Sequence, residues 1–247
     1  MIRLLDINMN FKDKQILQGI NLSVKQGETL AVIGASGSGK STLLRLIIGL
    51  LKPTSGEIWI KGRAITSLDE ESLDEIRLNM GMVFQYSALF DSMSVGDNVA
   101  FGLRQHTDFT EAKISEIVSE KLAMVDLAGY EQVMPNELSG GMKKRVSLAR
   151  ALAFNPEIIL YDEPSAGLDP IMSGKIDDLI IHTQKVLNVT SVVVTHHMDS
   201  AFYIADRIAM IYEGKLIAIG TPSEIKASID DRVKDFINGG NRCKGGE

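Results

Sequence analysis

Cysteine is almost absent from this chain: Cys243, in the polar stretch NRCKGGE, is the single one among 247 residues. That excludes an internal disulfide framework and any metal site built on paired thiolates, and it suits a reducing compartment. A basic excess is absent too. The 26 Lys and Arg face 32 Asp and Glu, for a formal charge of −6, so nothing draws the chain as a whole to a polyanion and a nucleic-acid partner is not expected. Long apolar runs are missing as well. The best of them, LLRLIIGLL, is short and contains Arg45, well below the ~18–20 residues that span a bilayer. The opening MIRLLDINMNFKDK has no signal-peptide layout, so any membrane role is expected to come through a partner. What is present is ordinary for a folded protein: 45% apolar and 23% charged residues are enough for one large α/β domain, or for a domain with an inserted subdomain.

The patterning supports the second of these. Residues 2–32 read as strands: IRLLDINMNF, KQILQGINLSV, then ETLAVIG after Gln26 and Gly27. Residues 40–50 have helical spacing, KPTSGEIWIKGRAI returns to short strands around a turn at Pro53 to Gly56, and GMVFQ reads as a buried strand. From Tyr86 to about Phe154 strand signal nearly vanishes. Helices are expected at Ser94 to Leu103, Thr110 to Leu127 and Ser139 to Phe154. EIILYDEP, a helix from Pro170 to Leu187, TSVVVTH, a further helix, RIAMIYEG and KLIAIG then restore βαβ alternation. The expected fold is α/β, with an N-terminal antiparallel β part. Its core comprises residues 1–85 and 155–225, a helical subdomain at 86–154 is inserted into it, and 226–247 form a C-terminal extension.

GASGSGKS, Gly34 to Ser41, matches G-x-x-x-x-G-K-[ST] between the apolar strand LAVI and the helix STLLRLIIGL. Such a loop lets the backbone N–H groups of Gly34, Ala35, Ser36, Gly37, Ser38 and Gly39 wrap a di- or triphosphate. Lys40 neutralises the outer phosphates, Ser41 can ligate Mg²⁺, and Thr42 follows on the same helix start. IILYDEP ends a buried strand in two adjacent carboxylates. Alone these would serve equally as a helix cap or a solvated loop; beside a phosphate loop, Asp162 is expected at the Mg²⁺ shell and Glu163 at an attacking water. A second anion-favouring helix start lies in NELSGGMKKRVSLARAL, where Ser139, Gly140 and Gly141 offer free N–H groups, the positive end of a helix dipole and a hydroxyl. KKR within that helix reads as a solvated face or as phosphate steering.

In this order, GASGSGKS, Gln85 after GMVF, LSGGM, ILYDEP, SAGLD and VVVTHH resemble the nucleotide-binding subunit of ATP-binding cassette (ABC) transporters, over roughly residues 2–225. The resemblance implies a P-loop ATPase using ATP and Mg²⁺. It also implies a head-to-tail dimer with a second copy, in which Ser139 to Gly141 of one chain cap the γ-phosphate held by the P-loop of the other. A separate integral membrane permease would be driven from the cytoplasmic face of a bacterial inner membrane. Phe11 resembles the aromatic that stacks on adenine, where Tyr is commoner, with a core phenylalanine as the alternative. Gln85 resembles the Q-loop residue that meets Mg²⁺ or water. Asp169 resembles the acid facing the other subunit, compatible with an N-cap before Pro170. His196 resembles the switch histidine at the γ-phosphate; His197 departs from the usual Asp, and Met142 from the usual Gln. His106 and His182 have no motif partners and read as surface or packing residues.

Two further stretches narrow the subfamily. YSALFDSMSVGDNVAFGLR, Tyr86 to Arg104, and DDRVKDFING, Asp230 to Gly239, resemble ATPases that serve Mce-type lipid transporters. This implies a phospholipid cargo, an Mce-type substrate-binding protein and a small STAS-type regulator among the partners. Leu89, Phe90 and Val95 are the apolar candidates for receiving the permease, with core packing as the alternative. An importer of a small polar solute remains the second reading. A non-transport ABC protein acting on ribosomes or DNA usually has two cassettes or a long coiled coil, and a GTPase would carry N-K-x-D; none of these is present.

Overall fold

The computed structural model describes residues 1–12 and 14–239, so Cys243 lies outside the described residues. In chain order the elements are β1 (Ile2–Phe11), β2 (Lys14–Val24), β3 (Thr29–Ile33), α1 (Lys40–Ile47), β4 (Ser55–Ile60), β5 (Arg63–Ala64), α2 (Glu70–Arg77) and β6 (Met80–Val83). Then follow α3 (Val95–His106), α4 (Glu111–Met124), a 3-10 turn at Pro135–Glu137, α5 (Gly140–Leu152), β7 (Ile158–Asp162) and α6 (Pro170–Leu187). The chain finishes with β8 (Thr190–Val194), α7 (Met198–Ile204), β9 (Arg207–Tyr212), β10 (Lys215–Gly220), α8 (Pro222–Lys226) and α9 (Asp231–Ile237). Two compact units result: Met1–Leu68 with the chain from Val192 onward, and Asp69–Ser191.

The first unit contains an antiparallel sheet of order β2-β1-β4-β5. Ile2, Leu4, Ile7 and Met9 of β1 are buried, and they pair in register with Val24, Leu22, Ile20 and Leu17 of β2. The spacing slips between Leu4 and Ile7, where Asp6 takes a φ of 48°; a bulge there keeps both apolar pairs on the core face. A second set of strands runs β10-β9-β3-β8, with β3 and β9 parallel. All five β3 residues, TLAVI, are buried, as expected of a parallel strand covered on both faces. Ala31, Ile33, Ala201, Ile208, Met210, Ile225 and Val233 form one apolar cluster, so α7, α8 and α9 are anchored on this sheet.

The second unit pairs β6 and β7 in parallel, with Met80 opposite Ile158 and Val83 opposite Tyr161. Helices α3, α4 and α5 pack on one another, and α5 lies against β6. The approach is close at Gly81, where a Cβ would sit 2.5 Å from the Ala151 carbonyl oxygen. The helix starts fall where the sequence places them because each has a side-chain cap: Ser94, Thr110, Ser139 and Asp169 accept from the N–H groups of Asp97, Lys113, Met142 and Met172. α2 is an addition to the sequence reading. Only Leu73 and Ile76 of its eight residues are buried, too few for a helical period to stand out. No helix among the described residues is long and apolar enough to cross a membrane.

Candidate nucleotide site

In the first unit, β3 delivers the chain to Gly34, whose φ is 151°. A Cβ at this position would lie 2.2 Å from the Ile211 carbonyl oxygen, so only glycine fits. The loop then closes on itself. The buried Lys40 ammonium donates to the carbonyls of Gly34 at 2.7 Å and Ala35 at 3.1 Å, and the Ser38 N–H donates to Ala35. Gly39, at φ 104°, stands at the N-cap of α1 and offers no side-chain acceptor to the helix start. The buried Ser38 hydroxyl has no hydrogen-bond partner among the described residues. Ala35, Ser36 and Gly37 are exposed, and Ser41 and Thr42 half-buried on α1. An uncapped helix start, an orphaned hydroxyl and a folded-back ammonium form a donor set that fits an oligophosphate.

Two more predicted residues belong to this unit. Phe11 ends β1 and is 44% exposed, so it is not a core phenylalanine. His196 follows Thr195 at the end of β8; its ring centroid lies 4.3 Å from that of His197. The His197 N–H donates to the Thr195 hydroxyl, and His197 begins α7. His106, in the other unit, has the Phe154 ring as an edge-on neighbour, a packing role.

In the second unit, β7 is buried throughout and ends at Asp162. Asp162 and Glu163 are both buried, and Glu163 has a φ of 49°, a left-handed conformation that a branched-out side chain keeps only where its surroundings hold it. Gln85 sits just past β6. Its following residues Ser87 and Ala88 also have positive φ, 62° and 47°, and they are clamped from two sides. The Arg150 guanidinium donates to the Ser87 and Ala88 carbonyls at 2.7 and 2.6 Å, and its burial pulls the guanidinium pKa down. The fully buried Asn98 accepts from the Phe90 N–H at 2.8 Å and donates to the carbonyls of Phe90, Met93 and Ser94.

The α5 start is built differently from the P-loop. The Ser139 hydroxyl caps its own helix by accepting from Met142 N–H at 3.3 Å, and Ser139 and Gly140 are exposed. Gly141 is buried, where a Cβ would sit 2.5 Å from the end of the Met172 side chain. Asp169 caps α6 and is exposed.

One sequence expectation needs correction. KKR is not a solvated face: Lys144 is 6% exposed and donates to the carbonyls of Gln85 and Glu163, while Arg145 is tied to Asp126 and the Val125 carbonyl. Burial lowers the Lys144 pKa, opposed by the charges of Glu163 and Asp162. Charge at a helix position reads as solvent-facing until the carbonyls that receive it, 59 and 19 residues away in the chain, are brought beside it. For Val95 the core-packing alternative holds, since it is fully buried, leaving the half-buried Leu89 and the exposed Phe90 as surface candidates. Asn98 was missed altogether. Its signal was a polar residue of low helix propensity inside an otherwise apolar helix stripe.

A model of the ABC transporter family matches residues 17–166. The intermembrane phospholipid transport system ATP-binding protein MlaF of Haemophilus influenzae is 46% identical, over 94% of this chain and 89% of that protein. The probable ribonucleotide transport ATP-binding protein mkl of Mycobacterium tuberculosis is 40% identical, over 94% of this chain and 65% of that one. Among solved structures, a dimeric post-hydrolysis state of an ATP-binding cassette with ADP and Pi bound has a TM-score of 0.83 at 34% identity, covering 90% of this chain and 99% of the other. With a P-loop cradle of this geometry and relatives of this extent, the chain belongs to the ABC transporter family of ATP-binding subunits.

Proposed function

We propose that the chain hydrolyses Mg²⁺-ATP as a dimer at the cytoplasmic face of a bacterial inner membrane, driving a permease that moves phospholipid between inner and outer membranes. The observation that carries the ATP reading is the self-closed loop from Gly34 to Lys40, which gathers the Lys40 ammonium and the buried Ser38 hydroxyl at a helix start. Phe11 stacks on the base. The amides of Gly34 to Gly39, with Lys40, Ser41 and Thr42, hold the phosphates. Ser41, Asp162 and Gln85 are the residues that would hold Mg²⁺, which when bound neutralises charge on the outer phosphate oxygens. Glu163 accepts a proton from water as the water oxygen bonds to the γ-phosphorus and the bond to the β–γ bridging oxygen breaks, releasing ADP and phosphate. His196 steadies the γ-phosphate. Ser139, Gly140, Gly141 and Asp169, all but Gly141 exposed, serve the nucleotide of the second copy.

The phospholipid reading rests on the extent of similarity to a protein named for intermembrane phospholipid transport and on the segment after Gln85. There Phe90 packs at 4.8 Å on Phe101, and both rings are partly exposed. The four Asn98 hydrogen bonds hold this patch in place, as a permease helix would require. An Mce-type substrate-binding protein and a STAS-type regulator complete the proposed assembly. A small polar solute is the second reading, favoured by the ribonucleotide named for another relative. Deleting the chain from its host tests the choice: altered envelope lipid composition and detergent sensitivity are expected. Normal lipids, with copurification of a permease fed by a soluble solute-binding protein, would overturn the phospholipid reading and leave the ATPase reading intact.

A further inference from the structure

Lys144 lies in the KKR run just past LSGGM, among residues given no role in the site, yet its ammonium occupies the point where two of the motifs meet. It donates to the backbone carbonyl of Gln85 and, at 3.4 Å, to that of Glu163. Those are the residues from which the proposed Mg²⁺-contacting amide and the proposed general base leave the chain. Lys144 itself stands on α5, five residues beyond Ser139, or roughly 7 Å along a rigid helix at ~1.5 Å per residue.

Three features argue against a purely structural role. First, a buried cation is an expensive way to fill volume, since desolvation offsets most of what its bonds return, and an apolar side chain of similar length would serve packing as well. Second, the carbonyl it takes from Glu163 belongs to a residue at φ 49°, a strained conformation that persists only where neighbours over-determine it. Third, the other buried cation of the same helix, Arg150, donates to Ser87 and Ala88, so the loop after Gln85 is already anchored without Lys144. What Lys144 adds is the bond to Glu163.

We propose that Lys144 is a positioning residue that sets the backbone of Gln85 and Glu163 together from the Ser139 helix, so that the hydrolysis step, and not nucleotide binding, depends on it. The inference rests on the ATPase activity and not on the nature of the cargo. A displacement of roughly 1 Å at a reacting group is enough to lower a rate ~10²-fold, and a cation bridging two loops prevents such a displacement in either.

The test uses the full chain in the complex with which it copurifies, and follows ATP turnover over a range of ATP concentrations. Lys144→Met is expected to lower kcat by at least about tenfold with KM changed less than about threefold, the pattern of a lost interaction specific to the transition state. Lys144→Arg, which keeps a cation able to reach both carbonyls, is expected to return most of that loss. Lys143→Met removes a charge one position earlier on the helix and is expected to keep the original kcat. A kcat within twofold for Lys144→Met would overturn the proposal, as would a loss residing in KM or a failure of Lys144→Arg to recover. Should Lys144→Met not fold, Lys144→Gln with amide hydrogen exchange decides. Faster exchange in both 85–88 and 163–166 supports the bridge; a change confined to one segment, or none, overturns it.

Discussion

The P-loop of the first unit and the loops of the second that carry the proposed catalytic residues Gln85 and Glu163 are built by opposite constructions. The P-loop is local to its unit: Lys40 is held by carbonyls only five and six residues before it, and Gly34 and Gly39 are dictated by contacts with Ile211 and Leu17 of the same unit. The catalytic loops are distributed. Gln85 and Glu163 are set through bonds that span 59 and 19 residues, and the segment after Gln85 is clamped by Arg150, more than sixty residues on. A local anion cradle can form as soon as its strand and helix form. A distributed one needs α3 and α5 packed on each other, as they are here.

If the two constructions serve different copies of the chain, the largest effect is all-or-none. With Cys243 removed, cysteines at the exposed Ser36 and Ser139 should crosslink between chains in the presence of ATP and not in its absence. Gly34 is unsuitable for this purpose because a side chain there meets Ile211. Crosslinks confined within one chain would break the comparison. Next in size, Glu163→Gln should reduce turnover at least ~10²-fold while nucleotide binding persists, whereas Lys40→Ala should weaken ATP binding and turnover together. Fluorescent-nucleotide titration alongside phosphate release separates the two behaviours, and near-normal turnover of Glu163→Gln would remove the residue from its role.

Smaller effects sharpen the contrast. Asn98→Ala leaves the Phe90 N–H without its acceptor and takes one donor from each of three carbonyls, of which Phe90 and Ser94 keep a backbone donor, and it should destabilise the chain by about 1–3 kcal/mol, the range for a buried polar group left unpaired. Denaturant unfolding measures this, and retention of the permease on copurification should fall with it; unchanged stability would mean the clamp is redundant. At the smallest scale, Phe11→Ala should cost about 1 kcal/mol of ATP affinity through lost stacking, and Phe11→Tyr almost none. Equal affinity for all three side chains would show that the exposed ring does not touch the base.

How much was legible before the structure follows the same division. GASGSGKS could be read at sight because the residues that line a P-loop are contiguous, even though Ile211 and Leu17 hold its glycines in place, and the helix starts at Ser94, Thr110, Ser139 and Asp169 because a cap and the N–H it serves are three residues apart. α2 escaped because its short run exposes six of eight side chains at least partly, leaving little apolar period to see. Lys144 was misread and Asn98 overlooked for a common reason: a polar side chain at a helix position looks solvated unless its distant partner is known. Val95 stayed open between docking and core packing because apolar character alone does not say which face of a helix is covered.

The sequence by itself determined the phosphate cradle, the two adjacent acids at a strand end, the second anion-favouring helix start and the alternation of strands and helices, all of them relations within a few residues where backbone geometry and capping dominate. Tertiary structure alone decided that Lys144 and Arg150 point inward to carbonyls, that Glu163 keeps a left-handed backbone, and that Phe11 stays open while Val95 is closed. Burial and long-range hydrogen bonding depend on which surfaces the packed helices and strands remove from water, and that is settled only when residues far apart in the chain become neighbours.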